Sequence, residues 1–268
     1  MKLPPPQDVD VLHTVREISR RDGRFLLSVA VVLVAVSLGL RSSLIPQQEI
    51  WAFVAAPLLI ALPALVGYLR EVTAPTFEHL VPGLLGAFAV VAFAQIVTVG
   101  WEYDLMVVAY GACYVVAGQL DYRHLVDRQK PGHLVAQEGI LALLVGGAFL
   151  AILLLQWPLP LRLAGFFLVA VAACYRSFRV FGHPMPVRRA ILLSLIVGQL
   201  VTFFGWAMSV YVYYAAGMFA VLLFLLWYFN RGLIRHTVEE SLNRWVAVEY
   251  AGFAVVIGYL FLTSFLPR

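Results

Sequence analysis

The chain has 268 residues, 62% of them hydrophobic and 13% charged, with a mean hydropathy of +0.87. That balance lies outside the range of water-soluble globular domains and inside that of polytopic membrane proteins, so no separate soluble domain is expected. The net charge of +4 and pI near 9.2 do not point to nucleic acid, because the basic residues are scattered over several connecting segments with no binding motif. In a membrane protein an arginine excess records orientation.

Residues 1–24 begin with Pro4-Pro5-Pro6 and continue with Asp8 and Asp10 as caps. Val11, Val15 and Ile18 then share one helical face opposite His13, Arg16, Glu17 and Arg20, which predicts a cytoplasmic amphipathic segment lying at the interface. Four acidic residues in this stretch and the lack of a small-x-small cleavage site make the first apolar segment an anchor, not a cleaved signal.

Apolar segments follow at about 25–45, 50–69, 80–101, 105–120, 134–157, 161–175, 190–205, 209–229 and 245–265. They predict an all-α, polytopic transmembrane bundle of about nine helices, with residues 25–265 forming a single transmembrane helical domain. The run Ala190–Phe229 holds forty residues without a charged side chain or histidine. As one helix it would be about 60 Å long, twice the hydrocarbon thickness of a bilayer, so it must be two passes, with the turn expected at Gly205–Ser209. With the N-terminus inside, sixteen of the nineteen Lys and Arg residues fall in cytoplasmic segments, and only Arg41, Arg162 and Arg268 fall outside. This asymmetry predicts a cytoplasmic N-terminus and an external C-terminus. The short connections favour a bacterial inner membrane. Trp51, Trp101, Trp157, Trp206, Tyr211, Tyr213 and Tyr214 stand near the external edges as an aromatic belt.

Pro57 and Pro63 predict a bend in the second helix. Gly83/Ala87 and Ala254/Gly258 offer close helix contacts, as do Ser194, Gly198 and Thr202, which make a small stripe on the seventh helix. At the start of the ninth helix, Thr237-Val238-Glu239-Glu240 has the form of a capping box, so that helix is expected to begin near Val238. Ile234, Val238, Leu242 and Trp245 would then form its inward stripe.

No motif names a reaction. Cys113 and Cys174 lack metal or disulfide spacing, and the six histidines show neither His-x-x-x-His nor His-Glu-x-x-His, so neither a metal nor a cofactor is expected. All six histidines fall in or beside cytoplasmic segments, which speaks against haem held within the bundle, and the two lysines, Lys2 and Lys130, stand in loops where no retinal Schiff base can form. Lys130-Pro131-Gly132-His133 lacks the serine of a membrane phosphatase motif, and Gly182-His183-Pro184-Met185 lacks the arginine and glutamate pattern of membrane methyltransferases. Coupled transporters place ionisable groups near the midplane, where Gln95 and Gln199 are the deepest strongly polar side chains of this sequence.

Two features remain. Arg176, Arg179, Arg188 and Arg189 bracket one cytoplasmic connection, and Arg231, Arg235 and Arg244 another, a pattern suited to anionic lipid head groups or to a protein partner on that side. Glu138 and Glu249 each lie five residues into a helix running in the same direction, too deep for a short side chain to snorkel easily. They are expected to face inward as buried carboxylates, with Arg123, Arg128, Arg176, Arg179 or Arg231 as partners. The function that fits best is a membrane subunit or scaffold binding a partner or lipid through these loops. The alternatives are an enzyme acting on a lipid-linked phosphate at the cytoplasmic interface and a carrier for a lipophilic solute.

Overall fold

The structure is a computed structural model that describes residues 24–39, 50–70, 76–96, 101–126, 131–155, 157–180, 185–211 and 216–238, with scattered positions between Arg244 and Tyr259. Eight helices follow one another: α1 (Arg24–Gly39), α2 (Ile50–Arg70), α3 (Phe77–Ala94), α4 (Trp101–Val126), α5 (Pro131–Leu154), α6 (Leu159–Val180), α7 (Val187–Tyr211) and α8 (Ala216–Val238). The described positions from Arg244 onward are helical and fit the ninth segment, and no strand occurs among the described residues. Six of the helices, α3 to α8, contain spans long and apolar enough to cross a membrane, as a multi-pass membrane protein requires. The expected N-terminal amphipathic segment and the Ala254/Gly258 pair lie outside the described residues.

The helices overrun the apolar segments at their charged ends. α4 starts four residues early, with Glu102 and Asp104 in its first turn, and runs on through Arg123 and His124 in its last. Acidic groups at the helix N-terminus and basic ones at its C-terminus complement the macrodipole, so hydrogen bonding continues past the point where hydropathy falls. α6 ends the same way with Arg179, and α8 with Arg235 and His236. Thr237 and Val238 of the expected capping box belong to the last turn of α8, and residues 239–243, where the ninth helix would start, lie outside the described residues. Thr237 is not an N-cap; its hydroxyl donates back to the Leu233 carbonyl at 2.8 Å. Ile234 and Val238 do pack on the core, but from α8, while Leu242 and Trp245 lie outside the described residues.

The turn dividing the uncharged run also differs from expectation. Gly205–Ser209 is helical, and α7 continues to Tyr211. Gly205 lies against the Phe166 ring, where a side chain would crowd, and the Ser209 hydroxyl donates to the Gly205 carbonyl at 2.7 Å. Neither residue breaks a helix when tertiary packing uses the glycine and the helix itself satisfies the serine. α2 spans both Pro57 and Pro63 within one helix.

α7 also carries the pattern of a helix immersed in lipid. Ala190, Ser194, Val197, Val201, Gly205 and Met208 face inward at helical spacing, whereas Ile191, Leu192, Leu195, Ile196, Leu200, Phe203 and Val210 face outward. Small residues inside and large apolar ones outside reverse the order of a water-soluble helix. Gly198 opens the surface for Val171 and Phe167 of α6, as the Ser194-Gly198-Thr202 stripe predicts. The Ser194 and Thr202 hydroxyls return to the carbonyls of Ala190 and Gly198, each at 2.7 Å.

Two apolar cores share the middle helices. One gathers α1 and α2 against α3 and α4 around Leu26, Leu65, Phe93 and Tyr114, and the other gathers α5 to α8 around Leu141, Phe149, Phe166 and Trp227. α3 touches α2, α4, α5 and α6, so it is the common wall. Its glycines set these spacings: Gly83 receives Leu65 of α2, and a Cβ on Gly86 would stand 3.1 Å and 3.2 Å from the Cβ and Cα of Tyr114 on α4. Because the atoms met at Gly86 include backbone, Gly86→Val must push two helices apart, at a cost of about 1–3 kcal/mol. Gly139→Ala, at a helical position with nothing within 4 Å of its would-be Cβ, should be neutral or slightly stabilising. Thermal unfolding of both variants in detergent checks this: equal midpoints would show that α3 and α4 are not in the close contact described.

Candidate functional site

Every buried charged residue among the described residues (Glu78, Asp121, Arg176 and Arg231) lies at one end of the bundle, where α3 and α5 start and α4, α6 and α8 finish. The organising feature begins with Pro82, the sixth residue of α3. Proline has no N–H, so the carbonyl four residues earlier, that of Glu78, is left without its helical donor. Arg176 of α6 supplies the replacement: its Nη1 donates to the Glu78 carbonyl at 2.5 Å, and its Nη2 donates to Oδ1 of Asp121 on α4. Arg176 and Asp121 are each only 1% exposed. Oδ1 of Asp121 also accepts from Nε2 of Gln137 on α5 at 2.9 Å, and the same Nε2 donates to the Leu120 carbonyl at 3.1 Å. One guanidinium therefore ties α6 to α3 and α4, and one carboxylate carries the link on to α5.

Two further arginines extend this layer outward. Arg179, one turn from Arg176, donates to the Met185 carbonyl at 2.8 Å and reaches Oε1 of Glu78 at 3.4 Å, which ties the end of α6 to the start of α3 and to the residue two before α7. On the other flank Oε1 of Glu138 accepts from Arg235 Nη1 at 2.8 Å and lies 3.6 Å from Arg231 Nη1. The Arg231 guanidinium is buried over the rings of Trp227 and Tyr228, 5.2 Å and 5.1 Å from their centroids.

The seven basic positions singled out from the sequence thus separate. Arg176, Arg179, Arg231 and Arg235 turn toward carboxylates within the bundle, whereas Arg188 and Arg189 at the start of α7 and Arg244 beyond α8 are exposed. Glu138 is partly buried and meets Arg231, one of its expected partners, together with Arg235; Glu249 lies outside the described residues. Glu78 and Asp121 stand out in the sequence only as carboxylates near the cytoplasmic histidines, and nothing in the loop charge pattern singles out Gln137. Asp121 looked like a loop residue because hydropathy ends α4 at residue 120, yet Pro82 four residues after Glu78 was a readable sign of a freed acceptor. His79, His124, His133 and His236 stand at the same end of the bundle, the first turns of α3 and α5 and the last turns of α4 and α8. Among the described residues no group of three or more His, Cys, Asp or Glu side chains could hold a metal ion.

Removing Arg176 should be costly for two separable reasons. An interhelical hydrogen bond in a membrane protein contributes about 0.6 kcal/mol on average, whereas stranding a buried carboxylate costs about 3–5 kcal/mol. Arg176→Met is therefore expected to lose several kcal/mol in denaturant unfolding in detergent. In a Pro82→Ala background, where the restored N–H can serve the Glu78 carbonyl, the loss should shrink by about 1 kcal/mol. A cost below about 1 kcal/mol for Arg176→Met would mean that the pair does not hold the bundle end.

No protein-family model matches the chain, no curated protein matches it, and no solved structure does.

Proposed function

We propose that this chain is a non-catalytic membrane subunit or scaffold whose polar end is cytoplasmic and which docks a protein partner there, with anionic lipid head groups as further ligands. The observation that carries this reading is how the charges divide. Glu78, Asp121 and Glu138 are engaged by arginines of neighbouring helices, an arrangement that braces a bundle and leaves these carboxylates poorly placed for acid–base work. Arg188 and Arg189 project from the first turn of α7 and meet no carboxylate among the described residues. Two adjacent exposed guanidinium groups beside a braced polar layer suit an acidic protein surface.

Orientation belongs to the same proposal. The sixteen to three asymmetry of basic residues favours a cytoplasmic arginine layer, and the short connections favour a cell membrane of bacterial inner-membrane type. A topology reporter inserted near Gly132 should register as cytoplasmic and one fused after Arg268 as external. Both on one side would require an even number of crossings between them and would overturn the assignment.

The docking claim is tested by affinity purification of the full chain from its native membrane. A polypeptide should accompany it at fixed stoichiometry, and Arg188→Glu with Arg189→Glu should weaken its retention about tenfold or more while the thermal midpoint stays unchanged. A chain that purifies alone, or a partner retained equally by the charge-reversed form, rejects the scaffold reading.

A further inference from the structure

Arg231 is a charged side chain whose hydrogen-bonding capacity is not used. It is only 4% exposed, yet its closest carboxylate oxygen lies 3.6 Å away, and its buried Nε has no acceptor. Among the described residues its guanidinium donates no hydrogen bond at all. A guanidinium carries five N–H donors, and buried charges are normally hydrogen-bonded as well as paired. The rings of Trp227 and Tyr228 stabilise the positive charge but do not replace oxygen acceptors.

Its neighbours add two facts. Glu138 Oε1 hydrogen-bonds to Arg235 at 2.8 Å, so the one carboxylate oxygen that faces Arg231 is already held by a second guanidinium. The trio also stands where the apolar spans stop. Glu138 is the last charged residue before an uncharged stretch reaching Leu161, and Arg231 is the first after the stretch beginning at Ala190. Glu138 and Arg235 are 30% and 23% exposed, so the outer side of the trio is open.

We propose that Arg231 and Arg235 form a binding site for one phosphate group between α5 and α8, in which Glu138 is the resident competing acceptor. A phosphate presents several oxygens to a planar donor fork, so it can engage Arg231 and Arg235 together where a single carboxylate oxygen serves only one well. Its oxygens supply the acceptors that the buried Arg231 donors lack, and its source is either a phospholipid head group at this depth or a soluble phosphate. The inference deepens the reading of this end as one that binds anionic head groups. It does not involve the Arg188 and Arg189 surface.

The test uses the full chain in an uncharged maltoside detergent, with thermal midpoints followed as inorganic phosphate is titrated against chloride at constant ionic strength. A parallel arm titrates short-chain phosphatidylglycerol against the diacylglycerol that lacks its phosphate. Stabilisation by either phosphate probe, and not by chloride or diacylglycerol, is expected; a response to the lipid alone assigns a head group, and a response to inorganic phosphate assigns the soluble source. Glu138→Gln removes the competing charge and should tighten binding about three- to tenfold, and Arg235→Gln should weaken it about tenfold. Both substitutions are at partly exposed positions, chosen in preference to buried Arg231, and their unliganded midpoints verify folding. The site is overturned if no phosphate probe raises the midpoint, or if both folded variants keep the parent's affinity within about twofold. Because the titration uses the isolated chain, its failure leaves the docking reading standing, and loss of the protein partner leaves the phosphate site standing.

Discussion

The arrangement of the polar end depends on a missing hydrogen. Pro82 deprives the Glu78 carbonyl of its helical donor inside a bundle where water is scarce, and a buried acceptor without a donor costs free energy that a small domain cannot easily offset. Arg176 resolves this from another helix, using one arm of its guanidinium for the carbonyl and the other for Asp121. Lysine could not reproduce that arrangement, since its ammonium is a point charge without a planar fork. The burial of a full positive charge is tolerable only because Asp121 neutralises it and Gln137 shares the load on the carboxylate.

This polar layer and the apolar body perform different tasks. Packing of small residues against large ones sets how closely the helices approach, as with Gly86 against the Tyr114 backbone and Gly198 against Val171 and Phe167. Such contacts are numerous and individually weak, and similar ones can form at neighbouring registers. The arginine–carboxylate pairs are few and directional, so they select one register among those the packing allows. α6 is central because it carries Arg176 and Arg179 on adjacent turns and couples α3, α4 and the path to α7 through them. A fully spanning α6 is necessary for this, since its far end must reach the starts of α3 and α5.

Charge compensation within the layer is uneven, and the unevenness is informative. Arg176 donates through both terminal nitrogens, whereas Arg231 rests on aromatic rings and the carboxylate it faces among the described residues, Glu138, is engaged by Arg235. Brace and binding element are therefore distinct readings of residues that look alike in sequence, and they differ in whether the donors of a buried guanidinium meet acceptors inside the chain. The exposed Arg188 and Arg189 form a third class, available to a surface because nothing inside the bundle competes for them.

Hydropathy alone determined the membrane class, the helical architecture and the approximate placement of the segments, because transfer of a stretch of about twenty residues into hydrocarbon is a property of that stretch and needs no knowledge of its neighbours. The pairing of Glu138 with an arginine was legible for a related reason: its depth and short side chain leave few other solutions. What lies at helix ends was not. α8 running to Val238, α7 passing through Gly205, and Thr237 bonding within its own helix all depend on dipole complementarity and on packing that a hydropathy profile does not contain. Nor could a list of arginines separate Arg176 from Arg188, since both flank apolar segments at the same end and differ in which helix stands opposite. Tertiary structure alone decided that, because a guanidinium turns inward where another helix offers it acceptors and a charge to neutralise, and outward where none does.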